Sequence, residues 1–169
     1  MNNVLLENAE FKIEVTSFGT WRRYLYPTGM YFSEFKSRKT ILGFPLIHYT
    51  NGKNPETGRR IIAKGIIAVG RLATGVFAIG HASLGLIAVG QLGLGFLFGF
   101  GQATIGCVAI GQLAIGLIFG FGQIATGITA IGQVAFGKYV LAQIGFGDFM
   151  WTPKIKNPTA INYFRSFLS

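Results

Sequence analysis

Few side chains in this chain could do chemistry, and those few stand far apart. Two histidines, His48 and His81, one cysteine, Cys107, and the aspartate Asp148 lack the spacing of a metal cluster, so no metal and no cofactor is expected. A Cys107–His81 nucleophile pair would need a third polar group to orient the base, and the surrounding sequence offers only glutamines. The segment Gly132-Gln133-Val134-Ala135-Phe136-Gly137-Lys138-Tyr139 follows the phosphate-loop pattern as far as the lysine. It then places Tyr139 where a magnesium-binding Ser or Thr is required. Thr74, Thr104, Thr126 and Thr129 do not align into the flat threonine array of an ice-binding face. The chain is therefore expected not to be an enzyme. One enzymatic alternative is a site near the start of the repeats, built from His48 with Arg59 or Arg60.

What must position these residues is a repeat. From Gly65 to Gly137 glycine returns at every fifth residue, with two one-residue slips inside the near-identical phrases FLFGFGQ, ending at Gln102, and LIFGFGQ, ending at Gln123. Units this small cannot bury a face alone and must stack on their neighbours. Their form is x-h-Ala-h-Gly, as in Gln112-Leu113-Ala114-Ile115-Gly116. Helices fit poorly, because five residues advance a helix by roughly 500° and scatter the glycines around it. The expected fold class is all-β, a β-solenoid of glycine-cornered five-residue strands with 10 or 20–21 residues per coil. Alternation along each strand then places the large apolar residues inside: Leu72, Phe77, Ile79, Leu84, Ile87, Val89, Leu92, Leu94, Val108, Ile110, Leu113, Ile115, Ile131, Val134 and Phe136. Alanine, glycine and the residue at x form the outer wall.

The x position alternates between two sets. Arg71, His81, Gln91, Gln102, Gln112, Gln123, Gln133 and Gln143 would make a polar ladder, with amides about 4.8 Å apart if ten residues form one coil. On the same ten-residue coil Val76, Leu86, Phe96, Cys107, Leu117 and Ile128 would make an apolar stripe on the opposite side, whereas 20–21 residues per coil would split each set into two stripes. A stripe of that extent is expected to meet a partner. The expected partner is a second copy, giving a homodimer or filament, with the ladder left in water.

Composition sets the limits. The chain has 169 residues, is 50% hydrophobic and 12% charged, contains 25 glycines, and carries a net charge of +9. No Lys, Arg, Asp or Glu occurs between Leu72 and Gly137, so the charge sits at the two ends. A positive balance favours anionic partners in general, but the basic residues form no run, and nucleic acid is not expected. No small-molecule substrate is expected either. The opening MNNVLLENAEFKIEV lacks the basic and apolar regions of a secretory signal, and a single cysteine suits a reducing compartment. The expected location is the cytoplasm, with association with the inner membrane as the alternative. In that alternative the stripe or the whole repeat meets lipid and the basic ends meet anionic headgroups.

Three parts follow: a β-rich cap over 1–60, the repeat over 61–147 and a capping segment over 148–169. In the first, Phe11, Ile13 and Val15 alternate with charged residues as in a half-buried strand. Tyr31 to Lys36 and Thr40 to Tyr49 read as strands, with turns at Pro27-Thr28-Gly29 and Asn54 to Gly58 and a hairpin at Asn51-Gly52. In the last, Phe149, Met150, Trp151 and Pro153 are suited to plugging the end of the repeat. Ile161, Phe164 and Leu168 follow at near-helical spacing.

The run SEFKSRKTILGFPLIHYTNGKNPETGRRIIAKGIIAVG, residues 33–70, resembles a segment found ahead of Ala-Ile-Gly repeats in many uncharacterised bacterial proteins. With the repeats, the likeness covers roughly two-thirds of the chain. It implies a bacterial pentad-repeat β-solenoid family without an assigned activity. The stacked plan is also similar, distantly, to bactofilins and pentapeptide-repeat proteins.

Overall fold

The computed structural model describes residues 10–167. The opening residues 1–9 and Leu168, which entered the readings of the two termini, lie outside the described residues. The described chain forms strands β1 (Lys12–Val15), β2 (Gly19–Leu25), β3 (Tyr31–Ser37), β4 (Thr40–Ile41), β5 (Phe44–Pro45), β6 (Ile47–Asn51), β7 (Ala63–Val69) and β8 (Leu72–Trp151), then helix α1 (Pro158–Arg165). One sheet runs in the order β1-β2-β3-β6-β7-β8, and β4 and β5 form a separate two-stranded sheet. The larger sheet is mixed: β1, β2, β3 and β6 pair antiparallel, whereas β6–β7 and β7–β8 pair parallel. The chain divides into two compact units between Gly85 and Leu86.

The expected β-solenoid of separate five-residue strands is not what forms. Extended backbone runs through β8 for 80 residues within a mixed sheet, without a closed solenoid. The physical reason is that the glycines do not act as corners. Among the repeat glycines only Gly101 and Gly127 have a φ that side chains resist, 155° and 158°, so the others supply no positive-φ corner. Glycine instead permits close approach. A Cβ on Gly75 would strike the carbonyl oxygen of Gly65, and one on Gly111 would strike that of Gly101. Such neighbours lie ten residues apart, or eleven across the slips, as in Gly101 against Gly90 and Gly122 against Gly111.

The interior is also inverted relative to the expectation. In the first unit Ala63, Ala68, Ala73 and Ala78 form one buried cluster, with Ala63 paired to Ala73 and Ala68 to Ala78. In the second unit Ala88, Ala109, Ala114, Ala125, Ala130 and Ala135 are wholly inaccessible, with Thr104 and Val140 filling equivalent places. The residues expected inside do not fill this interior. Leu72, Phe77, Ile79, Leu84, Leu92, Leu94, Leu113, Ile115 and Phe136 are exposed, while Ile87, Val89, Val108, Ile110, Ile131 and Val134 are half-buried. Alternation was the right rule, but the face turned inward admits little more than a methyl group.

At the start of the chain, all four residues of β1 are exposed, because β1 is an edge strand paired only with β2. Asn51-Gly52 closes no hairpin, since the strand it leaves, β6, pairs parallel with β7. Thr40 to Tyr49 is not one strand but the β4–β5 hairpin followed by β6. Aromatic packing steadies this unit: Trp21 lies 4.9 Å from Phe35, and the buried Tyr26 donates its hydroxyl to the Lys53 carbonyl at 2.8 Å.

In the second unit, Met150 packs against the cluster of Ala125, Ala130, Ala135, Val140 and Ala142. Helix α1 opens with Asn157, whose side chain accepts from Thr159 and Ala160 N–H, and with Pro158 at its first position. It docks through Tyr163, which stacks on Tyr139 at 3.9 Å and shares a 2.6 Å hydroxyl contact with Thr129.

The inverted interior makes a direct prediction. Ala114→Leu should destabilise the protein by about 1–3 kcal/mol through overpacking, whereas Leu117→Ala on the exterior should change stability by no more than about 0.5 kcal/mol. Denaturant midpoints of the two variants check this, and equal losses would contradict the inversion.

Candidate functional site

Glu34 is the most constrained charge in the first unit. It sits in β3 directly opposite Arg22 of β2 and Thr50 of β6, with only 2% of its side chain exposed. Its Oε1 is 2.9 Å from Lys36 Nζ and 3.1 Å from His48 Nε2. Oε2 makes no hydrogen bond and lies 3.5 Å from the Arg22 guanidinium, which also reaches Glu56 at 3.5 Å. Burial alone would push the Glu34 carboxyl up. Hydrogen bonds from His48 and Lys36, with the charges of Lys36 and Arg22, outweigh burial and hold it at about 2.

His48 is held from both sides. Its Nδ1 lies 2.8 Å from the Lys64 N–H and 3.2 Å from the Lys64 carbonyl, and its Nε2 lies 3.1 Å from Glu34 Oε1. Both ring nitrogens therefore have partners within the fold. Beside this cluster, a cavity of about 760 Å³ is lined by Lys36, His48, Arg60 and Lys64, with Thr40 and Phe44 on its wall. The structure therefore brings His48 and Arg60 together, while Arg59 does not line the cavity.

In the second unit a groove of about 820 Å³ gathers four glutamines, Gln112, Gln123, Gln133 and Gln143, beside Phe121, Trp151 and Lys156. Gln91 and Gln102 are also exposed, as are Arg71 and His81 in the first unit. Of the stripe residues in the second unit, Phe96 is 72% exposed and Leu117 69%; Leu86 and Ile128 are exposed and Cys107 is half-buried. Val76, in the first unit, is half-buried. The apolar exterior is not confined to that stripe. Leu92, Leu94, Ile105, Leu113 and Ile115 follow the glutamine positions, and Leu97, Phe100, Ile118 and Phe121 follow the apolar ones, and all are exposed.

Reading the sequence missed Glu34. Its signal was available: strand alternation places it on the same face as Phe32, so an acid occupies the apolar side of a half-buried strand. Among the described residues, no group of three or more His, Cys, Asp or Glu gathers to hold a metal, and no helix is long and apolar enough to cross a membrane. Comparison with protein-family models, curated proteins and solved structures finds no match to this chain.

The depressed Glu34 carboxyl fixes a pH dependence. Its folded value, about 2, lies below its ordinary 4.5, so its contribution is complete above pH 4.5 and is lost as pH falls toward 2. Glu34→Gln should cost about 1–3 kcal/mol at neutral pH, because an amide replaces the charged acceptor of Lys36 and His48 while Lys36 and Arg22 stay partly in water and Arg22 keeps Glu56. The gap between variant and wild type should close between pH 4.5 and 2 in thermal melts. A gap independent of pH would contradict this role.

Proposed function

We propose that this is a non-enzymatic protein that works at a lipid bilayer, with acyl chains covering the apolar exterior of its second unit. One observation carries the reading: the small residues lie inside and the large apolar residues lie outside. Fully burying a Leu, Ile or Phe side chain contributes roughly 1.5–3 kcal/mol, so half-exposed ones leave much of that stabilisation unrealised in water. Contiguous apolar surface of this extent marks a contact with protein or lipid.

Two features favour lipid. Apolar side chains follow both the glutamine and the apolar x positions, so the exposed apolar surface is spread through the repeat rather than held at one set of positions, as a lipid contact would use it. The sequence between Leu72 and Gly137 also lacks Trp and Tyr as well as charge, whereas Trp21, Tyr49, Tyr139, Trp151 and Tyr163 accompany the basic residues on either side of it. Aromatic and basic flanks around an apolar stretch are the composition of membrane–water boundaries. Self-association into a dimer or filament is a second reading, favoured by the prominence of Phe96 and Leu117.

The expressed chain should sediment with membranes, resist high-salt washing and be released by mild detergent. Recovery as a monodisperse monomer without detergent would overturn the proposal, and detergent-free soluble filaments would favour the second reading.

A further inference from the structure

The β4–β5 hairpin in the first unit has an unusual tip. Ile41 pairs with Phe44, leaving Leu42 and Gly43 as a two-residue turn with φ of 52° and 80°. Positive φ at both central residues defines a type I′ turn, whose preferred residues are Asn, Asp and Gly. Leucine is poorly suited to that conformation, because its Cβ crowds the following carbonyl. Leu42 is also 91% exposed and flanked by exposed Ile41 and Phe44, so a strained turn holds an apolar side chain away from the protein.

The same hairpin contributes Thr40 and Phe44 to the wall of the basic cavity. Of the cations there, Lys36 is balanced by Glu34 at 2.9 Å. Arg60 and Lys64 make no ion pair among the described residues, and no carboxylate lines the cavity. Two exposed cations with no carboxylate partner among the described residues favour an anion. An apolar finger beside it calls for a ligand that is also greasy.

We propose that the hairpin and this cavity form a binding site for an anionic phospholipid, with its phosphate against Arg60 and Lys64 and Leu42 among the acyl chains. Glu34 acts as a positioning residue, holding Lys36 at the cavity wall. The proposal refines the bilayer reading by naming a lipid class, and it depends on the first unit alone.

The test uses the full chain in a neutral detergent, whether or not detergent is needed to keep it in solution, so the two proposals can fail separately. Melting temperature is recorded against short-chain phosphatidylglycerol, short-chain phosphatidylcholine and inorganic phosphate. Phosphatidylglycerol should raise it, and the other two should not at the same concentration. The double variant Arg60→Ala/Lys64→Ala should bind phosphatidylglycerol at least tenfold more weakly. Leu42→Asn should melt roughly 1–4 °C higher without lipid, because the turn is relieved, and yet bind the lipid several-fold more weakly. A purely structural role for Leu42 would move stability without affinity. Equal shifts from both lipids, or unchanged affinity in the double variant, would overturn the proposal. An equal shift from inorganic phosphate would reassign the site to a soluble phosphate.

Discussion

Backbone approaching backbone with no room between is the constraint on which this structure rests. At Gly75, Gly111 and Gly132 even a methyl group would meet a carbonyl oxygen ten residues earlier. The residue two places before most repeat glycines turns inward, and the space left for it is filled by alanine or another small side chain, as at Ala73, Ala114 and Ala130, with Val140 a larger example. Within each unit the repeat's interior is therefore lined largely by methyl groups. Sheets packed through ordinary apolar side chains stand about 10 Å apart, and methyl groups cannot fill such a gap.

That narrowness determines the exterior. Leucine, isoleucine and phenylalanine on either side of each small residue have nowhere to go but outward, and they remain around half exposed. An alanine interior contributes little hydrophobic stabilisation per residue, so much of the apolar gain open to this sequence lies on its outer surface. Four amides of the glutamine positions, Gln112, Gln123, Gln133 and Gln143, share one groove. In the first unit the demands are different. Aromatic contacts and one buried carboxylate, surrounded by Arg22, Lys36 and His48, steady the strands that lead into the repeat.

Much of the local order was legible in the sequence. The spacing of Gly65 to Gly137 announced extended, repeating backbone, and the alternation within each pentad announced two faces. The choice of inner face was not legible by hydrophobicity, because alanine and leucine both count as apolar. Size variation held the missing information. The middle position accepts only small residues, such as Ala68, Ser83, Thr104 and Ala109, for most of the repeat, whereas its neighbours range from Val108 to Phe136. A position that tolerates any bulk is not packed. Positive-φ corners were read into the glycines because that is a common use of glycine, and close approach leaves the same sequence mark. The Leu42-Gly43 turn escaped notice because leucine is not a turn residue.

The most direct measurement is the fluorescence of a tryptophan placed at Leu117, in full chain reconstituted into vesicles whose phospholipids carry bromine along the acyl chains. Outward-facing apolar residues covered by lipid require strong quenching of the added emission. Emission at that position unaffected by brominated lipid would contradict the bilayer as the cover of this exterior.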